Sequence, residues 1–256
     1  MAGPHVREHG RMLSSQGDDT RAAVIELLFG FTALGVVMEV LLYALAGPAA
    51  LRLTVAGLYL ALAALLYVRR SAWPRPFGWA NRITLLRGAI VMLLAGAGLF
   101  PTFLSEHVHV FVAMAIGCLL LDGVDGWVAR RTGSSGAFGA RFDMELDAFF
   151  LLVLSLVVVA LGKAGPWVLA IGLARYIFIA AQMLFPALKR PLPPSVLRKI
   201  GCVWPGATLM LCLLPVVTPP VARVALLVAL ALLLLSFGRD ILWLLRRAHA
   251  PIAGAD

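Results

Sequence analysis

Eight apolar runs, most of them long enough to carry a helix across the hydrocarbon core of a bilayer, follow one another along the chain and leave little room for a separate soluble domain. Broken by charge, proline and glycine, they fall near residues 23–46, 52–68, 82–100, 107–129, 143–162, 167–186, 200–216 and 221–245. The second and seventh are short, so tilt or local thinning must accommodate them. Helices satisfy their own backbone polar groups inside hydrocarbon, and the runs therefore predict an all-α, polytopic helical membrane protein. A hydrophobic share of 61% with only 14% charged residues points the same way.

A net charge of +9 raises the question of nucleic acid, but the 19 Arg and 3 Lys stand mostly at the ends of the apolar runs and not on one polar face. Membrane lipids are the expected partner, and nucleic acid is not. Taken alternately, one set of connections holds Arg7, Arg11 and Arg21, then Arg69, Arg70, Arg75 and Arg82, then Arg130, Arg131 and Arg141, then Lys189, Arg190, Arg198 and Lys199, then Arg246 and Arg247. The other set offers Arg52, Lys163 and Arg223. Cytoplasmic loops are the basic ones, so the partition predicts both termini in the cytoplasm, and losing or adding one span would scramble it. Ala44-Leu45-Ala46 before Gly47 resembles a signal cleavage site, yet the apolar stretch is too long for one and Glu39 interrupts it. The polar segment from Met1 to about Asp19 reads as a disordered tail. Cys118, Cys202 and Cys212 lie apart in apolar stretches and read as packing residues, and His107 and His109 as a solvated loop pair.

Acidic residues within or beside spans are costly, and five of the chain's thirteen fall in one short window: Asp122, Asp125, Asp143, Glu145 and Asp147. Spacings of three and four put Asp122 with Asp125, and Asp143 with Asp147, each pair on one helix face. The polar, glycine-bearing stretch from Arg131 to Phe138 suits a turn between the two helices, so the four aspartates are expected to converge. Converging carboxylates must be protonated or share cations. Two divalent ions would balance four charges, and oxygen ligands beside a phosphate-bearing substrate favour Mg2+ or Mn2+. Acids at helix N-termini are ordinary, which would cover Asp143 and Glu145 but not Asp122 and Asp125 at the far end of their helix.

In full, the stretch reads Asp122-x2-Asp125-Gly126-x2-Ala129-Arg130-x8-Gly139-x3-Asp143-x3-Asp147. It resembles the complete signature of the CDP-alcohol phosphotransferases, membrane enzymes that make phospholipids from CDP-linked donors. Eight fixed residues at set spacing arise by chance at a given start with odds on the order of one in a billion, so the resemblance is specific. Upstream, Asn81-x2-Thr84-x2-Arg87 is similar to the opening of the family's first core helix. The resemblance implies a six-helix catalytic core over residues 71–247, preceded by a tail at 1–21 and two extra spans at 22–70, and followed by a tail at 248–256.

It further implies transfer of a substituted phosphoryl group from a CDP-alcohol, CDP-diacylglycerol being the expected donor, to an alcohol acceptor with release of CMP. Asp122, Asp125 and Asp143 would be metal ligands, and Asp147 the base for the acceptor hydroxyl and a ligand as well. Asn81, Thr84, Gly126, Ala129, Arg130 and Gly139 would bind the donor nucleotide and phosphates, although small residues at these spacings also suit plain helix packing. Arg131 and Arg141 read as interfacial anchors. Arg175, inside the sixth run, and Lys199, at the start of the seventh, are acceptor-site candidates, with an internal pair to Glu39 or Asp240 as the alternative for Arg175. The loop around Pro191 to Ser195 lacks the G-K-x-K-T stretch of glycerophosphate-using members, which leaves the acceptor open. Family resemblance also implies a homodimer, and the partition of basic loops puts the active site at the cytoplasmic face, with the cell membrane as the expected location. Two other classes remain: a transporter, with Glu39, Arg175 and Asp240 buried along a pathway, and an inactive relative with a structural role.

Overall fold

The chain is helical wherever its apolar runs are, and several of the helices stop beside a proline or glycine. The computed structural model describes residues 4–70, 73, 78–132, 136–185 and 196–248, with 4–20, 22, 129, 130, 132, 137, 196–202 and 245–248 described by backbone alone. Its helices are α1 (Pro4–Leu45), α2 (Ala49–Val68), α3 (Trp79–Gly98), the short α4 (Pro101–Glu106), α5 (Val108–Thr132), α6 (Ala137–Ala160), α7 (Leu169–Leu184), α8 (Val196–Leu213) and α9 (Pro219–Ala248), with a 3-10 turn at Pro166–Val168. No strand occurs among the described residues. Pro101 and Pro219 each begin a helix, where the missing N–H costs nothing. The end of α6 is closed by Gly162 at φ 66, with Gly162 N–H on the Val159 carbonyl (2.9 Å) and Lys163 N–H on that of Val158 (3.2 Å). This nested pair needs a left-handed residue, which glycine adopts without strain.

Each of the eight expected spans answers to one of the long helices. Among the described residues, six segments are long and apolar enough to cross a membrane: Ala23–Leu45, Ala49–Val68, Trp79–Gly98, Val108–Val128, Pro166–Leu184 and Pro219–Leu244. The other two expected spans correspond to α6, which carries Asp143, Glu145 and Asp147 in its first half, and α8, whose apolar part among the residues with described side chains is Val203–Leu213. The segment expected to be a disordered tail belongs to α1, which extends back to Pro4. A formed helix propagates at little cost per residue, and this polar stretch holds no proline between Pro4 and the apolar run to stop it. The turn residues Gly133 to Ser135, and Lys189, Arg190 and the prolines after them, lie outside the described residues.

Two compact units divide the chain, Met1–Phe103 with Ala113–Leu146 and Leu104–Val112 with Asp147–Asp256. In the first, α1 and α2 both pack on α3, the most enclosed span: 78% of its apolar window is buried, against 17% to 28% for the other five. Glycines permit the approach. A Cβ at Gly96 would meet Val55 and Leu51 of α2, and one at Gly88 would lie 3.2 Å from Leu62. Tyr59 of α2 donates its hydroxyl to the Leu27 carbonyl of α1 (2.9 Å), and the buried Glu26 of α1 takes the guanidinium of Arg82, with Nη2 at 2.6 Å. Leu27, Leu66, Leu85 and Phe142 form a core against which Tyr67, Trp73 and Phe138 pack, and it holds the start of α6 to α1, α2 and α3.

In the second unit, α9 packs on α8 and α7, with Phe178 edge-on to Phe237 at 5.4 Å. The ammonium of Lys163 donates to the carbonyls of Leu214 (3.3 Å) and Val217 beyond the end of α8, which ties the end of α6 to the turn before α9. Helix α7 touches α6 most closely at Gly172, where a Cβ would fall on the backbone of Leu152. Backbone cannot rotate away as a side chain can. Gly172→Val is therefore expected to cost about 1–3 kcal/mol and to lower the thermal midpoint of the detergent-solubilised protein. Gly57→Ala, made where nothing lies within 4 Å, should leave the midpoint unchanged or raised. Equal midpoints for the two variants would contradict the close approach.

Candidate active site

Helix α3 presents a polar stripe, Asn81, Thr84 and Arg87, at three-residue spacing, all three side chains buried. Facing it are Asp122 and Asp125 of α5 and Asp143 of α6. Arg87, 1% exposed, directs Nη1 at all three carboxylates: 2.9 Å from Asp122 Oδ1, 2.9 Å from Asp125 Oδ2 and 2.6 Å from Asp143 Oδ1. Thr84 Oγ1 stands 3.0 Å from the Ala80 carbonyl and 3.2 Å from Asp125 Oδ2, so its single proton is shared between a helix carbonyl and the carboxylate. Asp125 is the deepest acid, at 4% exposure, whereas Asp122 and Asp143 are partly open.

One turn beyond Asp143 on the same helix, Asp147 completes a group with Asp122 and Asp143 whose carboxylate oxygens lie within 4.8 Å of one another. Asp125 stands outside this group and is joined to it through Arg87. Two like unit charges about 4 Å apart at an effective dielectric of about 20 repel by about 4 kcal/mol, so such a cluster needs cations or protons. Arg87 is a cation that the sequence reading left without a role. Its signal was present, as the third arm of the 81–84–87 stripe and an arginine well inside an apolar run, where a cation is costly without acidic partners.

The position of the acids also corrects the helix-end account. Helix α5 continues to Thr132, so Asp125 and Asp122 stand about two and three turns inside it, beyond the reach of the terminal dipole. Asp143 and Asp147 lie similarly deep in α6. Neither pair is a cap, and charge compensation comes from side chains, protons or bound ions.

Oxygen donors fit a hard divalent ion. Two oxygens on one ion can be no farther apart than twice the metal–oxygen distance, about 4.2 Å for Mg2+ and about 5 Å for Ca2+. The 4.8 Å limit of the Asp122, Asp143 and Asp147 group is thus close to that of a site needing only a small contraction.

Of the remaining expected site residues, Gly139 faces Asn81: a Cβ there would lie 2.6 Å from Asn81 Oδ1. Gly126 follows Asp125 on α5, and Ala129 and Arg130, described by backbone, occupy its last turns. Arg131 lies over the Trp127 ring at 5.1 Å, in keeping with an anchor. Arg175 is half-buried in the middle of α7, and Lys199, described by backbone, lies in the first turn of α8; both belong to the second unit. Glu39, expected to be buried, is exposed and holds Arg52 Nε at 2.7 Å and Nη2 at 3.0 Å, which removes it from any pathway and from pairing with Arg175.

The chain matches the family model described as CDP-alcohol phosphatidyltransferase over residues 77–238, well over half of its length. No curated protein and no solved structure matches it. The matched region begins just before the Asn81 stripe and takes in Arg87 and all four aspartates. A buried arginine, an acidic group on consecutive helices and a match that encloses both lead to one conclusion: the chain belongs to the CDP-alcohol phosphatidyltransferase family.

Proposed function

We propose that the protein transfers a phosphatidyl group from CDP-diacylglycerol to an alcohol, with release of CMP, at the cytoplasmic face of the cell membrane in phospholipid synthesis. Transfer of a phosphoalcohol from a CDP-alcohol is the family's chemistry. The observation that carries the reading is the convergence of Asp122, Asp143 and Asp147 inside the matched region. A lipid donor is supported by where these acids stand. Asp122 lies within the span Val108–Val128, and α6 runs on from Asp147 to Ala160 as a helix that is apolar apart from Ser155. A donor held there has its head group against the acids and its tails beside hydrocarbon.

The acceptor oxygen attacks the lipid-linked phosphorus, a new P–O bond forms, and the P–O bond to CMP breaks with its electron pair leaving on CMP. Asp147 takes the hydroxyl proton, a role for a partly open carboxylate beside the reacting oxygen. Asp122, Asp125, Asp143 and Asp147 are the residues that would hold Mg2+ or Mn2+, which when bound supplies charge neutralisation on the donor diphosphate. Gly139 lets the Asn81 amide lie against its backbone, and the two are assigned to the donor site with Thr84, Gly126, Ala129 and Arg130. Arg175 and Lys199 are assigned to the acceptor, whose phosphate or polar group would meet a cation there.

Purified protein in lipid with Mg2+ or Mn2+ is expected to release CMP from CDP-diacylglycerol when a suitable alcohol is supplied. Absence of CMP across a broad acceptor panel would refute the reading. Asp147→Asn should lower turnover by about 10²–10⁴-fold while Mn2+ and donor still bind; loss of Mn2+ binding would make Asp147 a ligand first and a base second. Gly139→Val should press on Asn81 Oδ1 and raise the donor's KM about tenfold, a loss of about 1.4 kcal/mol of binding, with the acceptor's KM unchanged. Parallel changes in both constants would place Gly139 in general packing.

A further inference from the structure

We propose that Glu26 of α1, which precedes the matched family region, is a positioning residue for the donor: through Arg82 it fixes the first turn of α3 and so holds Asn81 in the donor site. This rests on the transferase reading and deepens it.

A carboxylate buried within a membrane span is costly unless a partner compensates it. Glu26 lies in the span Ala23–Leu45, is 9% exposed, and takes the fork of Arg82, with Nη2 at 2.6 Å from Oε1 and Nε at 3.1 Å from both oxygens. A forked contact of this kind sets the direction of the arginine as well as its distance. The same guanidinium lies over the ring of Trp79, the first residue of α3, 4.9 Å from its centroid.

The turn that carries these residues has little of its own to hold it. Helix α3 begins after Gly78, at φ 78, without a side-chain cap, and the bond from the Arg82 N–H to the Gly78 carbonyl is long at 3.3 Å. An uncapped first turn leaves backbone donors without intrahelical partners. Asn81 stands in this turn, about 100° around the helix from Arg82. On the Arg82 side, Leu85 shares a core with Leu27, and a Cβ at Gly30 would lie 3.2 Å from it. Such apolar contacts are non-directional, so they hold α3 against α1 without fixing its rotation. The Glu26–Arg82 pair fixes it, and that rotation sets the Asn81 amide against Gly139 of α6. Neither Glu26 nor Arg82 touches substrate in this scheme. Losing the pair displaces Asn81 first, because Arg87 lies about two turns deeper in the helix.

Full-length protein in lipid nanodiscs with Mn2+ tests this through equilibrium binding of radiolabelled CDP and the KM values for CDP-diacylglycerol and for the alcohol acceptor. Glu26→Gln, which keeps the shape and removes the charge, should weaken CDP binding and raise the donor's KM by on the order of tenfold, with the acceptor's KM unchanged. On an Asn81→Ala background the same change should have no further effect on CDP binding, since both act at one place. Exchanging the charges, Glu26→Lys with Arg82→Glu, should bring CDP affinity back toward wild type. Glu39→Gln, which breaks the exposed pair of α1 with Arg52 of α2, should leave every constant as it was. Wild-type CDP affinity in Glu26→Gln would overturn the proposal, as would an equal rise in the two KM values or a full additional loss on the Asn81→Ala background. Should the exchanged variant not fold, Glu26→Gln and its Asn81→Ala combination still decide. CMP release tells the two readings apart. A wild-type protein that releases CMP while Glu26→Gln binds CDP unchanged keeps the transferase and loses the positioning, whereas one that neither releases CMP nor binds CDP loses both.

Discussion

One guanidinium nitrogen facing three carboxylates is the contact on which the arrangement of α3, α5 and α6 depends. Arg87 Nη1 has two protons to give to Asp122, Asp125 and Asp143, so charge as well as hydrogen bonding binds the three helices at this point. Removing one partner of a buried ion pair costs about 3–5 kcal/mol, because the other is left uncompensated away from water. The contact also gives the site a closed and an open side. Asp125 lies on the closed side with Thr84, while Asp122 and Asp143 stay partly exposed.

A buried arginine in a membrane-spanning helix needs enclosure on every side, and α1 and α2 contribute to it. They pack on α3 through Gly88 and Gly96, where the missing side chains let Leu62, Leu51 and Val55 approach. Their grip on the rest of the unit is polar as well as apolar. Glu26 holds Arg82 one residue from Asn81, and the Trp73–Phe138–Phe142 series, with ring centroids 5.8 Å and 6.0 Å apart, fixes the first turns of α6 beside Gly139. These two helices precede the matched family region, yet their contacts reach the residues flanking the polar stripe.

Most of this could be read from the chain because apolar length and helical period are local properties. The spans were legible to within a few residues, as the proline and glycine breaks show: Gly47-Pro48 stands between α1 and α2, and Pro219 opens α9. Pairing of Asp122 with Asp125 and of Asp143 with Asp147 followed from spacing alone. Arg87 was not given its role, because charge counting assigns arginines to interfaces and cannot show that one points into a cluster more than thirty residues away in the chain. Lys163 and Arg52 were exceptions to the charge partition for the same reason. One donates to the carbonyls of Leu214 and Val217 and the other binds Glu39, contacts that depend on the tertiary turn between helices. The reach of α1 back to Pro4 was missed because polarity was taken as disorder, although helix propagation needs no apolar face.

The depth of the acids explains why the cluster and the arginine occur together. A carboxylate at a helix end can rely on water and on the backbone dipole, but Asp122, Asp125, Asp143 and Asp147 all stand well within α5 and α6. Each must then be compensated by a group that the fold brings to it. Arg87 does this for the acids nearest α3, and its neighbours on the stripe, Thr84 and Asn81, supply a hydroxyl against Asp125 and an amide against Gly139. With Asp125 so engaged, the oxygens of Asp122, Asp143 and Asp147 are the ones grouped closely enough to share an incoming ion. Past them α6 is apolar to its end at Ala160 apart from Ser155, whose hydroxyl donates to the Leu151 carbonyl, so one helix carries acids in its first half and an apolar surface in its second.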